Sequence, residues 1–419
     1  MKQIKKRILS GVIALSLAIT DSSVAVFANN NTLESTVSTT KTAEIEESYI
    51  TNELIDLRSE YSKTYEKSDG SRVSIVTASP LHYYDNDKKA WEEYDNALSE
   101  TENEDGELQL TNNNPKFKVE IPKNLNETNS INAQTKDYKI SIIPLDISES
   151  NTVSDNTKST FRKAKKLKNK TIDDYVQESI KASTVEFEDI YPGTDTNLEY
   201  EVVNNSLKET ITLTKAPEKE TSYKFELITE GLAAELKDDG TIVFKKNNKN
   251  VFIIPAPFMT DSQNNYSDDI KTELIKNKNN YILSYTPSIE WLTDNERVYP
   301  VSVDPTITLN DTDNIDDAYV TSIRPDNNYG RATHLVVGKI RGELTPADEY
   351  TGEYLSYIKF KELPENIWNN SYITNAVLNL NVFSAVTSKI NAYEVTSAWN
   401  ENSVTYKNRP TFKNEIIDY

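Results

Sequence analysis

The chain has no cysteine and only two histidines, His82 and His334, among 419 residues. Disulfides, thiolate metal sites and cysteine nucleophiles are thereby excluded, even in an exported protein where disulfides would form. The two imidazoles fall in different candidate domains. The GxSxG elbow, the HExxH helix and the P-loop are all missing from the sequence, which leaves a serine–histidine site as a residual class only. Positive charge is also in deficit, with 46 Lys and Arg against 66 Asp and Glu and a formal charge of −20. Such a surface repels nucleic acid, so neither DNA nor RNA is an expected partner. The one long apolar run, residues 8–20, is too short to cross ~30 Å of hydrocarbon, and no membrane span is expected in the mature chain.

What is present begins with a leader. Lys2, Lys5, Lys6 and Arg7 precede ILSGVIALSLAIT, and VFA follows before NNN. This is the three-part layout of a secretory signal peptide over residues 1–28, cleaved after Ala28. Its loss removes four basic residues and one acid, which takes the formal charge to −23. Residues 29–70 form a mobile leader whose first part, to about Ser48, is too polar to offset its ordering entropy. Within it Leu54, Leu57, Tyr61 and Tyr65 share one side of a 3.6-residue repeat, which predicts one amphipathic helix over residues 51–67.

From Arg72 the apolar period changes to two. FKVEI, YKISI, LEYEV and YKFEL each alternate apolar and polar residues, the pattern of half-buried strands. Pro192-Gly193, Asn204-Asn205, Asp239-Gly240 and the Asn-rich residues 247–250 supply turns where hairpins should close. The fold class predicted is all-β and mainly antiparallel, with a β-sandwich-like domain over residues 71–308. Residues 146–182 interrupt it as a basic linker or insertion, with one short helical candidate at 171–180. Its KSTFRKAKKLKNK stretch holds Lys158, Arg162, Lys163, Lys165, Lys166, Lys168 and Lys170 without an acid. A solvated, protease-sensitive loop is the favoured reading, and contact with anionic wall polymers the sharper one.

The phrases VEFEDIYPGTDTNLEYEV, SLKETITL, DDGTIVF, IIPAPFMTD and IEWLTDNERVYPVSVDPTI, in that order, resemble the amino-terminal region of secreted Rhs/YD-repeat proteins of Gram-positive bacteria, of the wall-associated protein A type. The resemblance implies export and surface residence, and a YD-repeat region downstream in a longer product. Residues 309–419 resemble a DNRLRE domain, grouped with carbohydrate-binding modules, through DDAYVTSIRPDNNYGRATHLVVG, YLSYIKFKELPENI, ITNAVLNLNV and INAYEVTSAWNENSVTYKNRP. Strands counted from DAYVTS through SVTY number about six where a jelly roll needs ~8, so this module reads as a jelly roll truncated at Tyr419. LPENI at Leu363 lacks the rest of a sortase signal.

The loop RPDNNYGRATHLVVG offers a single glycine, Gly330, ahead of a β-run rather than a helix, which excludes a phosphate cradle. Asp326, Asn327 and Asn328 could donate oxygens to a structural calcium, yet a turn built by Asn, Asp and Gly is favoured. Asp316 and Asp317 are adjacent on a strand and point apart, so at most one reaches a shared ion. Asp317 and Asp326 are therefore the candidate metal ligands, and no other cofactor is expected. Sugars are gripped by aromatic faces with polar neighbours, which makes Tyr329, Trp368, Tyr393, Trp399 and Tyr406 the candidate carbohydrate-binding residues, with core packing favoured for Trp399. Trp91 and Trp291 are expected to anchor the first domain. Glu92-Glu93 and Asp268-Asp269 read as solvated acids rather than a hydrolytic pair.

The function expected from these readings is a secreted, non-enzymatic surface protein that binds cell-wall or extracellular polysaccharide. The alternative is the export and scaffold portion of a contact-dependent toxin. A polysaccharide hydrolase or lyase comes third. Amino-terminal sequencing of the exported product should begin at Asn29; a product that retains residues 1–28 would refute the leader.

Overall fold

The computed structural model describes residues 5–6, 14–20, 48–148, 182–263, 265–304, 306–309, 314–330, 332, 335–343, 349–364, 372–380, 382–384 and 390–418. The basic run, the helical candidate at 171–180, His334 and Trp368 lie outside them.

Alternation decides the architecture. In Tyr223–Ile228 and Thr196–Val203 every second residue is buried, because a pleated strand sends successive side chains to opposite faces. An eight-stranded sheet runs Ile270–Asn277, Asn280–Pro287, Tyr223–Ile228, Lys139–Leu145, Ile131–Gln134, Lys118–Pro122, Leu108–Thr111, Ser99–Glu102. A ten-stranded sheet runs Ala233–Leu236, Ile242–Lys246, Lys249–Ile254, Thr306–Leu309, Ser206–Leu213, Val301–Asp304, Phe258–Asp261, Tyr266–Ser267, with Thr196–Val203 and Ala182–Tyr191 branching from Ser206–Leu213. Every described pairing between strands is antiparallel. One apolar core joins the two sheets: Phe117, Val119, Phe225 and Leu283 from the first meet Phe187, Leu198, Phe244 and Phe252 from the second. Side chains of this size contribute ~1.5–3 kcal/mol each on full burial. The all-β, sandwich-like expectation is borne out.

The predicted turns close the predicted hairpins. Asn247 and Asn248 both have positive φ between Ile242–Lys246 and Lys249–Ile254, as a two-residue hairpin loop matched to strand twist requires. Asn204 does the same between Thr196–Val203 and Ser206–Leu213. The first and third asparagines of TNNNP, Asn112 and Asn114, serve the interior instead. Asn112 accepts from the Val119 N–H at 2.7 Å and donates to the Phe117 carbonyl at 2.9 Å, while Asn114 donates to the Asn204 carbonyl at 3.1 Å. Buried amides thus satisfy backbone groups and tie a loop of one sheet to a turn of the other.

The leading helix is absent. Residues 51–67 instead hold the strand Ile50–Glu53, a 3₁₀ turn at Ile55–Leu57 and the strand Ser62–Lys67, which pairs with Arg72–Thr77. Four consecutive residues, Ser62 to Tyr65, are buried, so both faces of this strand are covered and helical spacing carries no information. Cross-strand pairing, including the Thr64–Ser74 hydroxyl contact at 2.8 Å, outweighs the local propensity. The backbone of Ala14–Thr20, inside the expected leader, runs between Arg72–Thr77 and Tyr372–Asn379. Among the described residues no helix is long and apolar enough to cross a membrane.

The carboxy-terminal module contributes a three-stranded sheet in which Glu349–Phe360 lies between Ile315–Thr321 and Gly338–Glu343. SVTY, expected as a strand, is turn and irregular backbone. Side chains explain the break: Asn408 accepts from the Thr405 N–H at 2.6 Å and donates to the Ser403 carbonyl at 3.0 Å, offering the backbone an alternative to a ladder. The strand after it, Phe412–Asp418, pairs with Ala392–Val395 and was not anticipated.

One buried acid stands in the sandwich core. Glu209 accepts from the Tyr200 hydroxyl at 2.7 Å, and the hydroxyls of Tyr191 and Tyr285 are buried without a hydrogen-bonding partner among the described residues. Desolvation pushes the Glu209 carboxyl up to about 8, so it is neutral in the folded chain at pH 7. The native state then holds a proton that the unfolded state gives up near pH 4.5. The contribution of this group to stability is fully present below that pH, declines as pH rises and is lost through about pH 8, a swing on the order of 5 kcal/mol. Glu209→Gln should flatten this alkaline decline and exceed the parent in stability at pH 9, as read by urea unfolding at pH 5 and pH 9; an unchanged pH dependence would refute the assignment.

Candidate functional site

The NNYG loop fastens two distant segments. Asn328 Nδ2 donates to the carbonyls of Glu401 and Val404, each at 2.7 Å, and its Oδ1 accepts from the Gly330 N–H at 3.3 Å. Glu401 in turn accepts from the Asp317 N–H at 3.0 Å. Glycine is required at 330 by proximity: a Cβ there would lie 2.0 Å from the Glu401 carbonyl oxygen. The loop therefore turns a corner and is bonded to the W-N-E-N-S-V-T-Y segment.

The long strand Glu349–Phe360 distributes the aromatics between two faces. On one, Tyr354 lies 6.2 Å from Tyr319, whose ring stacks on Tyr329 at 4.4 Å. On the other, Tyr357 packs with Ala318, Val320 and Val404 and meets Trp399 at 5.7 Å. Beside this cluster Tyr406 donates to Glu353 Oε2 at 2.8 Å, and the Arg409 guanidinium sits 4.0 Å over the Tyr406 ring. Lys339 reaches the same carboxylate at 3.9 Å. The hydrogen bond to Glu353, ahead of burial, raises the Tyr406 phenol, and burial pushes Tyr357 up to about 12. Both stay neutral donors, next to an exposed guanidinium and a half-buried carboxylate. An aromatic ring flanked by a donor fork and an acceptor is the chemistry that a sugar's C–H face and hydroxyls require.

Of the candidate aromatics, Trp399 and Tyr406 come together on this face. Tyr329 belongs to the tyrosine stack, and Tyr393 meets Phe412 at 5.2 Å elsewhere in the module. Glu353, Tyr354, Tyr319 and Arg409 escaped the sequence reading, although strand alternation relates Glu353 to Tyr357, four residues on. Asp326 is paired with Lys407 at 2.7 Å, and Asp316 with Lys359 at 2.8 Å. Neither Asp317 nor Asp326 belongs to a group of three metal-ligating side chains among the described residues.

Such a group does occur in the amino-terminal region. Glu53, His82 and Glu93 converge there, with Arg58 bonded to Glu53 at 2.6 Å and Lys63 to Glu93. Glu93, expected to be a solvated acid, is thus part of a partly buried ion-pair network. Desolvation, reinforced by Lys63 and Arg58, pulls the His82 imidazole down to about 4, so it is neutral. Trp291 lies under Arg297 at 4.0 Å and packs against the main core, whereas the half-buried Trp91 meets the exposed Tyr84 at 5.4 Å.

Comparison with known proteins adds what geometry leaves open. Residues 309–418 match carbohydrate-binding module family 96. The chain is similar to the tRNA(Glu)-specific nuclease WapA of Bacillus subtilis subsp. natto (strain BEST195), 27% identical over 377 residues that cover 86% of this chain and 15% of that protein. It matches the tRNA nuclease WapA of Bacillus subtilis (strain 168) with the same identity and coverage. A wall-associated protein of Geobacillus stearothermophilus is 26% identical over 211 residues, half of this chain and 75% of that protein. No solved structure matches. These findings show a carbohydrate-binding-like segment at residues 309–418 and a likeness to a protein named wall-associated, and the chain spans 15% of the length of the WapA relatives it matches.

Two expectations are corrected by these relatives. The reading of the chain as non-enzymatic is overturned, because proteins named nucleases match it over 86% of its length. The exclusion of nucleic acid falls with it, on weaker grounds. Both expectations came from composition and missing motifs, which report only on the residues present.

Asn328→Ala should destabilise the module by ~1–2 kcal/mol, because two backbone carbonyls, one exposed and one partly buried, lose their donor. Gly330→Ala should cost at least as much through the clash with Glu401. Unfolding followed by Trp fluorescence measures both; parental stability in either variant would remove the proposed weld.

Proposed function

We propose that this chain is the wall-engaging part of an exported WapA-like protein, and that it binds cell-wall or extracellular polysaccharide through its carboxy-terminal module. The observation that carries this reading is the face built by Trp399, Tyr406, Glu353 and Arg409 inside the segment that matches a carbohydrate-binding module family. The acidic sandwich ahead of it supplies a charged body. The basic run at residues 158–170 is a second contact for anionic wall polymers in this reading, and its contribution would fall with salt.

A second reading is favoured by the nuclease names of the relatives together with their far greater length. Here the chain is the export and scaffold portion of a contact-dependent toxin, and nucleic acid is the substrate of a region beyond the part that this chain matches. The two readings are compatible, since a toxin displayed on a cell surface has to be held there.

Retention of the mature chain on insoluble peptidoglycan, teichoic acid and neutral polysaccharide tests the proposal. Binding to at least one is expected, weakened about tenfold or more, the equivalent of ~1.4 kcal/mol, by Tyr406→Ala and by Arg409→Ala. Folded chain that passes through all of these matrices would overturn it.

A further inference from the structure

The most unusual group of side chains outside the module lies where three β-segments meet. Ile50–Glu53 ends at Glu53, Ser62–Lys67 carries Lys63, and the hairpin of His82–Asp85 and Ala90–Glu93 carries His82 and Glu93. One nitrogen of His82 and one carboxylate oxygen from each glutamate lie within 4.8 Å of one another. His82 is fully buried. Its Nδ1 stands 2.6 Å from the Ser59 carbonyl oxygen, and a carbonyl only accepts, so the proton of the neutral ring is on Nδ1. The lone pair is then on Nε2, which is buried and has no hydrogen-bonding partner among the described residues.

An acceptor left unmatched in a protein interior is costly and calls for a ligand. A backbone carbonyl holding the other ring nitrogen is also the arrangement that orients metal-binding histidines. The geometry points to a zinc-type divalent metal site formed by His82 Nε2 and the carboxylates of Glu53 and Glu93. Calcium would require six to eight oxygens, whereas one imidazole and two carboxylates suit a borderline ion that keeps an open position. Donors seated ~2.1 Å from one tetrahedral ion stand ~3.4 Å apart, so the three ligand atoms, now within 4.8 Å of one another, close by up to ~1.4 Å on binding.

Charge sets the terms of binding. Arg58 holds both oxygens of Glu53, at 2.6 and 3.0 Å, and Lys63 holds Glu93. The two acids are thereby balanced before any metal arrives, and an ion enters only by displacing a cationic side chain. Lys63 is the competitor, since its ammonium bonds the Glu93 carboxylate. The carboxylates keep a route to water, with the Glu53 and Glu93 side chains 19% and 28% exposed.

Calorimetric titration of the full chain with zinc chloride, with native mass spectrometry to count bound ions, tests the site. One ion per chain and a raised melting temperature are expected. His82→Gln and Glu93→Gln should weaken binding at least about tenfold. Lys63→Met should tighten it, an effect that a purely structural ion-pair network would not produce. The proposal fails if the folded parent takes up no zinc, or if the His82 and Glu93 variants bind as the parent does, which would locate the ion on the acidic surface. Should His82→Gln unfold, the partly exposed Glu93→Gln and the tightening in Lys63→Met decide between these outcomes.

Discussion

The interior of the sandwich accepts one row of side chains from each strand, and nearly everything else in the amino-terminal region is arranged around that constraint. Where Phe225 and Leu227 point inward, Lys224 and Glu226 have to point out. The chain's excess of acid therefore accumulates on the outer rows. On Thr196–Val203 this puts Glu199 and Glu201 side by side, and burial together with neighbouring carboxylates raises both. Solubility and self-repulsion follow from the same alternation that builds the core.

Polar groups that break the rule divide by whether they are satisfied. The asparagines at 112 and 114 spend their amides on backbone groups and act as interior rivets. Glu209 is kept neutral by burial, against the Tyr200 hydroxyl bond that favours its carboxylate, which makes the core sensitive to alkali. His82 keeps one nitrogen bonded and one without a partner. A fully bonded buried group specifies packing, whereas an incompletely bonded one stores a preference for whatever would complete it.

What could be read from the sequence was what repeats locally. Period two and turn chemistry placed the sandwich strands and their hairpins, since Asn-Asn and Asp-Gly pairs fix backbone conformations without tertiary help. Residues 51–67 misled because Tyr61 and Tyr65 are buried by a strand partner at Arg72–Thr77, and a strand covered on both faces has no period to detect. SVTY misled for a different reason: its backbone is claimed by Asn408. The cluster of Glu53, His82 and Glu93 spans three β-segments separated by turns, and no spacing rule relates residues 53, 82 and 93.

In the carboxy-terminal module the residues that make the sequence recognisable are mostly those that hold it together. Asn328 and Gly330 of NNYG exist for the carbonyls of Glu401 and Val404, and Trp399 rests on Tyr357 over a small core. Among the described residues the core here is Ala318, Val320, Tyr357 and Val404, and these cross-links brace it. The groups suited to meet a ligand, Glu353 and Arg409, lie between or beside these landmarks and are positioned by them: Tyr406 ties one by a hydrogen bond and carries the other on its ring. A module organised in this way can exchange its contact residues without losing its fold. Resemblance at the landmarks then identifies the scaffold, while the identity of the bound polysaccharide depends on the side chains at the face itself.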